Sequence, residues 1–221
     1  MVMHRCIAIY LALCAITAVA QTSGRRQPGD PMPAGHVIMH VSRMQAPKSL
    51  LDLIRMSQLV VDGTISGRLP VINTGKTNDH PMFETHSVVA VNSIVSASLP
   101  KNAAQILLAE LGGHWDKWDM EVAGDSLVSP SERYILFLNP DDGRNEVPNS
   151  SGLPRYAVTG VWSGKIKVTN GVVIVSASLQ DELHTYNNSP ADTFLETLRE
   201  KIRRPYTTDK QLPVMFAPGK L

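Results

Sequence analysis

The stretch that most constrains the fold is Tyr134-Ile135-Leu136-Phe137-Leu138, five bulky apolar residues in a row, followed at once by Asn139-Pro140-Asp141-Asp142-Gly143. Successive side chains of a strand point to opposite faces, so Tyr134, Leu136 and Leu138 share one face and Ile135 and Phe137 the other. Both faces are apolar, and burial of each such side chain stabilises by roughly 1.5–3 kcal/mol. The stretch therefore predicts a central strand with a core on one side and a helix or loop packed on the other. A chain of 221 residues provides one domain, with or without long appendages, to surround it.

The N-terminus reads as an address. Met1 to Arg5 carries one positive charge, Cys6 to Ile16 is an apolar run too short to cross a membrane, and Ala18-Val19-Ala20 supplies the small residues that signal peptidase needs. This predicts a signal peptide over residues 1–20, cleavage before Gln21, and a secreted or periplasmic protein with no membrane span after cleavage. Cys6 and Cys14 are the two cysteines, so the mature chain would have no disulfide, no thiolate nucleophile and no Cys-ligated zinc. Losing Arg5 takes the 21 basic side chains to 20, equal to the 20 acidic ones. A neutral chain with 5% aromatics has neither the basic field nor the stacking platforms of a nucleic-acid binder. No nucleic-acid partner is expected.

Residues 21–35 are polar and rich in Pro and Gly, which predicts a flexible leader. Residues 36–204 form the expected domain, and residues 205–221 an extended tail. His36 to Val41 reads as a strand. His36 and His40 fall on one face, but no third ligand lies near them in sequence, so they are read as half-exposed edge histidines and no metal site is expected. Ser49 with Asp52 three residues on starts a short helix whose stripe is Leu50, Leu53 and Ile54.

Leu59 to Ser66 is a strand with Leu59, Val61 and Ile65 on one face. Gly63 sits on that face in mid-strand, which marks a bulge, a bend or a close backbone approach. Phe83 to Val95 is a long strand, with Phe83, Val89, Val91 and Val95 on one side and Glu84, His86 and Asn92 on a more polar one. Asn102 to Leu111 has a helical composition, and Gly112-Gly113 after it reads as a helix stop. His114 to Asp119 reads as a polar loop carrying Trp115 and Trp118.

Strands are expected at residues 156–160, 164–168 and 172–176, with Asn170-Gly171 as a two-residue hairpin turn between the last two. Lys165 and Lys167 alternate with Ile166 and Val168, giving that hairpin one wet face. Ser189 as cap and Pro190 at the first helical position start a closing helix. Its apolar face is Phe194, Leu195, Leu198 and Ile202, and Pro205 stops it.

The order of these pieces, above all Leu59–Ile65, Ser131–Leu138 and Tyr156–Val168, resembles exported bacterial proteins of unknown function that look like small OB-type β-barrels. The resemblance runs from about Leu50 to Ile202. It implies a mainly β fold: a small closed or partly open OB-like barrel with a short N-terminal helix and a C-terminal helix. It also implies a strand rather than a helix for Asn102 to Leu111, which lies between strands. The barrel is similar to netrin-like and metalloprotease-inhibitor domains. Inhibitors of that type act through an N-terminal cysteine, and the mature chain has none. The matching pieces carry no catalytic signature to transfer.

No Gly-x-Ser-x-Gly elbow, His-Glu-x-x-His, phosphate loop or dinucleotide fingerprint is present. Ser126 and Ser163 lack the flanking glycines of a nucleophile elbow. No catalytic residue and no cofactor are therefore expected. The expected contact area is His114, Trp115 and Trp118, because exposed tryptophans can stack on sugar rings or hold a peptide. The resulting expectation is an exported, non-catalytic binding or accessory module of the cell envelope whose partner is an unknown protein or glycan. The alternatives are an extracytoplasmic hydrolase with a site assembled from loops, and a structural envelope component.

Overall fold

The computed structural model describes residues 35–40, 47, 49–75, 82–96, 104–141, 151–160, 163–175 and 181–203. The signal peptide, most of the leader and the tail expected from the sequence lie outside them.

The core is a closed five-stranded barrel. Its strands are β2 (Leu59–Arg68), β4 (Phe83–Ser96), β5 (Gln105–Leu111), β8 (Arg133–Pro140) and β9 (Arg155–Val158). β2 pairs antiparallel with β4, and β4 with β5. β5 then pairs parallel with β9, and β8 closes the ring by pairing antiparallel with both β9 and β2. This is a Greek-key path of the OB type. The segment whose composition looked helical is β5, and the reason is positional. Ile106 and Leu108 face the barrel interior while Leu107 is buried on the other side, so a run without alternation is what a doubly buried strand requires.

β8 has the two-sided burial expected of the central strand. Tyr134, Leu136 and Leu138 lie in the interior cluster with Leu59, Val61, Ile65, Val89, Ile106 and Leu108. Ile135 and Phe137 lie in a second cluster outside the barrel wall. That outer cluster is closed by α1 (Leu50–Met56) and α3 (Ala191–Arg203), with β10 (Lys165–Thr169) and β11 (Val172–Ile174) extending the sheet beyond β8. Leu50 and Leu53 dock α1, and the Ser49 side chain caps it by accepting from the Asp52 amide at 3.0 Å. Phe194, Leu195 and Leu198 dock α3. The first intrahelical bond of α3 runs from the Phe194 amide to the Pro190 carbonyl, so its cap falls one residue later than the Ser-Pro pattern indicates. A one-turn helix, α2 (Asp181–His184), was not anticipated.

Gly63 marks a bulge, as its position in mid-strand implies. The register of β2 against β4 shifts between Asp62 and Gly63. A Cβ there would meet Val89 Cγ1 at 2.5 Å and the Ala90 carbonyl oxygen at 3.2 Å, so the two strands approach too closely for any other residue. The Asn170-Gly171 turn holds both residues at positive φ, 51° and 79°.

One expectation about a wet face is corrected, and one polar face proves to be covered. Lys165 does not lie on a solvated face: its side chain is 6% exposed and engaged with carboxylates. Glu84 and His86 are also buried, paired with each other at 2.5 Å from Glu84 Oε1 to His86 Nε2. In both cases period-2 alternation identified the face correctly, but the face is covered by packing that alternation cannot report.

A separate three-stranded sheet is formed by β1 (Gly35–Met39), β6 (Gly113–Trp115) and β7 (Trp118–Val122), in the order β1-β7-β6. The segment read as a tryptophan loop is thus a tight β-hairpin, turned at Asp116 with φ 54°. A two-residue strand, β3 (Ile72–Asn73), pairs with the start of β4.

Candidate functional site

OB-type barrels commonly hold ligands on the outer face of their second and third strands. Here those strands are β4 and β5, and the outward residues Glu84, His86, Leu107 and Ala109 are buried. Among the described residues an open concave surface lies at the end of the barrel where β2 and β5 finish.

β5 leads into the hairpin through Gly112 and Gly113, with φ of 109° and 130°. A Cβ on Gly113 would sit 2.5 Å from Thr85 Oγ1, and one on Gly112 would sit 2.8 Å from the Met120 carbonyl oxygen. Only glycine therefore lets the chain leave the barrel and fold back at this point.

Alternation then sorts the hairpin into two faces. Trp115, Trp118 and Met120 face the barrel. The Trp115 ring lies 5.8 Å from Phe83, and the Phe83 amide donates to Met120 Sδ at 3.4 Å. Trp118 packs over Gly35 and its indole Nε1 is buried without a hydrogen-bond partner. His114, Asp119 and Glu121 face away. The parallel register of β1 puts His36 beside Asp119 and Ile38 beside Glu121 on that same outer face. His114 Nδ1 lies 2.8 Å from Asp119 Oδ1, and His36 Nε2 lies 3.8 Å from Glu121 Oε2.

After β7 the chain turns back through Ala123–Ser126 to Val128, with a bridge between Val122 and Asp125. Between this loop, the outer face of the hairpin and Arg68 lies a cleft of about 490 Å³. Its walls carry Arg68, His114, Asp119, Glu121, Asp125 and Ser126. The volume is in the range of small-ligand sites, but the lining is polar and charged.

Behind the loop stands a buried ionic cluster. Lys165 Nζ donates to Glu110 Oε1 at 2.8 Å and to the Ser126 carbonyl at 2.7 Å, and lies 2.5 Å from Asp125 Oδ1. The Glu110 carboxylate also accepts from the Val128 amide, at 3.3 Å to each oxygen. Burial pushes the Glu110 carboxyl above its ordinary range. Lys165 opposes that shift and Asp125 reinforces it.

Of the three residues expected to form the contact area, the structure places His114 in the cleft and puts Trp115 and Trp118 on the opposite face of the same hairpin. Trp115 is 37% exposed, and Trp118 is largely covered. His36 and His40 are exposed, His36 on the edge strand and His40 just past its end. Among the described residues no three His, Cys, Asp or Glu side chains are placed to hold a metal ion. Sequence reasoning missed Arg68, Glu110, Asp125 and Lys165. Glu110 had a signal, as a lone carboxylate inside the apolar run Ile106–Leu111. Asp125 in its loop had none.

Compared with known protein families and with curated proteins, the chain matches no family model and no curated sequence. Fold and site together define a small closed β-barrel of OB type with a charged cleft at one mouth. Among the described residues no helix is long and apolar enough to cross a membrane.

Proposed function

We propose that this protein is an exported, non-catalytic binding module of the cell envelope, and that it meets its partner, a protein or a glycan, with the β6–β7 hairpin and the cleft beside it. The observation that carries the reading is the cleft of about 490 Å³ at the barrel mouth, lined by charged side chains and flanked by a half-exposed tryptophan. The charges in it largely satisfy one another: His114 with Asp119, Asp125 with Lys165, and Arg68 with the Val128 carbonyl. Such an arrangement suits recognition of a polar surface more than proton transfer. The test is co-purification from the envelope fraction, together with a glycan array, using the wild type, Trp115→Ala and Glu121→Lys. A partner that is retained by the wild type and lost by either variant supports the reading. Partners retained by both variants overturn it.

A second reading, a hydrolase, is favoured by one specific observation. Ser126 lines the same cleft as the His114–Asp119 pair, so the three residue types of an acyl-transfer triad are near one another. No hydrogen bond joins Ser126 to His114, and the His114 and Asp119 side chains are 67% and 58% exposed, which screens their interaction. A screen on ester, peptide and glycoside substrates decides it. Turnover that disappears in Ser126→Ala and His114→Ala establishes the hydrolase, and silence from folded protein removes it.

A further inference from the structure

The loop that walls the cleft contributes little regular structure of its own, yet it is held at four points by groups from three barrel-side strands. From β10, Lys165 Nζ reaches Asp125 Oδ1 at 2.5 Å and the Ser126 carbonyl at 2.7 Å. From β5, Glu110 accepts from the Val128 amide. From the end of β2, Arg68 Nη2 donates to the Val128 carbonyl. The Val128 side chain is itself fully buried, inserted into the interior cluster beside Ile106, Leu108 and Tyr134. The loop thus stoppers the barrel with one apolar side chain and is fastened round it by charge.

Beneath the stopper the barrel wall is polar. Pairing of β4 with β5 sets Thr85 opposite Glu110 and Ser87 opposite Leu108, and Leu108 points inward, so all four share the interior side. Thr85 Oγ1 donates to the Gly112 carbonyl at 2.6 Å, but Ser87 Oγ is buried with no partner. Buried hydroxyls without a partner are rare in native structures and call for a specific reason.

We infer that residues 123–128 form a lid over the polar end of the barrel, that Lys165 is its latch, and that its opening exposes Thr85 and Ser87 to the cleft. Asp125 and the Ser126 carbonyl are the parts of the lid the latch holds. Glu110 serves both sides, as counter-ion to Lys165 and as acceptor for the lid's own backbone. Val128 leaves the interior cluster when the lid lifts. The inference rests on the cleft being the working site, but its test needs no ligand, so the lid can fail while the binding reading stands, and the reverse.

The experiment is hydrogen exchange by mass spectrometry on the full chain, comparing the lid peptide 123–128 with the β8 peptide 133–138. In Lys165→Met the lid amides exchange roughly tenfold faster or more while β8 keeps its protection, and Lys165→Arg restores the lid. Lys165→Met leaves the carboxylates of Glu110 and Asp125 without their cation, so a second variant guards against loss of the fold. Asp125→Asn is the second variant. It removes one fastening from the lid and leaves Lys165 and Glu110 as a balanced pair, and it gives the same selective loss of lid protection. A Ser87→Cys thiol provides an independent readout: after alkylation and peptide mapping, it labels faster when combined with Asp125→Asn. If β8 loosens in step with the lid, Lys165 is only a core residue and the inference is wrong. It is equally overturned if the lid exchanges at the wild-type rate in Asp125→Asn.

Discussion

The barrel wall and the three-stranded sheet beside it are built from the same kind of strand and end in opposite conditions. Along β8 five consecutive side chains are buried, alternately inside and outside the wall. Along β7 burial alternates instead, with Met120 and Val122 buried and Asp119 and Glu121 exposed. The wall is covered twice, by its own closure and by α1 and α3, whereas the small sheet is covered once, by the barrel. Hence β8 has no room for exposed chemistry, and the small sheet carries His114, Asp119 and Glu121 into the cleft, where Arg68 at the end of β2 meets them. Stability belongs to one region and the candidate site to the other. The buried ionic cluster at Lys165 is where the two meet.

The contrast can be broken at several strengths. Phe137→Ala removes a fully buried ring from the outer core and should cost about 3–5 kcal/mol. Urea unfolding followed by circular dichroism measures it, and a loss comparable to that of a surface substitution would refute the two-sided wall. Lys165→Met strands Glu110 and Asp125 without their cation, and the loss should fall on residues 123–128, read as their faster hydrogen exchange, while the urea midpoint moves less than in Phe137→Ala. Gly63→Ala forces a methyl against Val89 at 2.5 Å and should cost roughly 1–3 kcal/mol, with the same unfolding assay as the check. Trp115→Ala, in the half-exposed sheet, forfeits its contact with Phe83, roughly 0.5–1.5 kcal/mol, and leaves the urea slope unchanged.

Acid titration sharpens the boundary between the regions. The folded-state pKa of Glu110 is raised above its ordinary 4.5 by burial, so in that window the folded protein binds a proton that the unfolded chain does not. The stability this supplies is fully present below 4.5 and is lost as pH rises through the folded value. Relative to Glu110→Gln, the wild type should therefore lose stability as pH rises across that window. Unfolding curves at a series of pH values test the slope, and a wild type that gains stability there would mean that Lys165 outweighs burial.

How much could be read in advance follows from range. β8, the Gly63 bulge, the Ser49 cap and the face of α3 are local, and each was visible in a few neighbouring residues. β5 looked helical by composition, because a strand buried on both sides loses the alternation that identifies strands, and its place between strands pointed to the strand that is observed. The hairpin at His114–Asp119 looked like a loop because it is short and polar, with Asp116 rather than glycine at a positive φ. Of the three residues expected to form the contact area, His114 lines the cleft. Trp115 and Trp118 were grouped with it, because a loop carries no sense of face, and the strand pleat separates them.

What the sequence by itself determined is the wall: hydrophobic pattern, glycine placement and capping residues all act over a few positions, and they required β-structure wrapped round an apolar interior. What only the tertiary structure decided is where charge is buried. Lys165 comes within hydrogen-bonding distance of Glu110, 55 residues before it, because barrel closure brings β10 and the end of β5 to the same mouth. An ammonium on an alternating strand is written the same way whether it meets water or two carboxylates, since desolvation is set by neighbours distant in the chain.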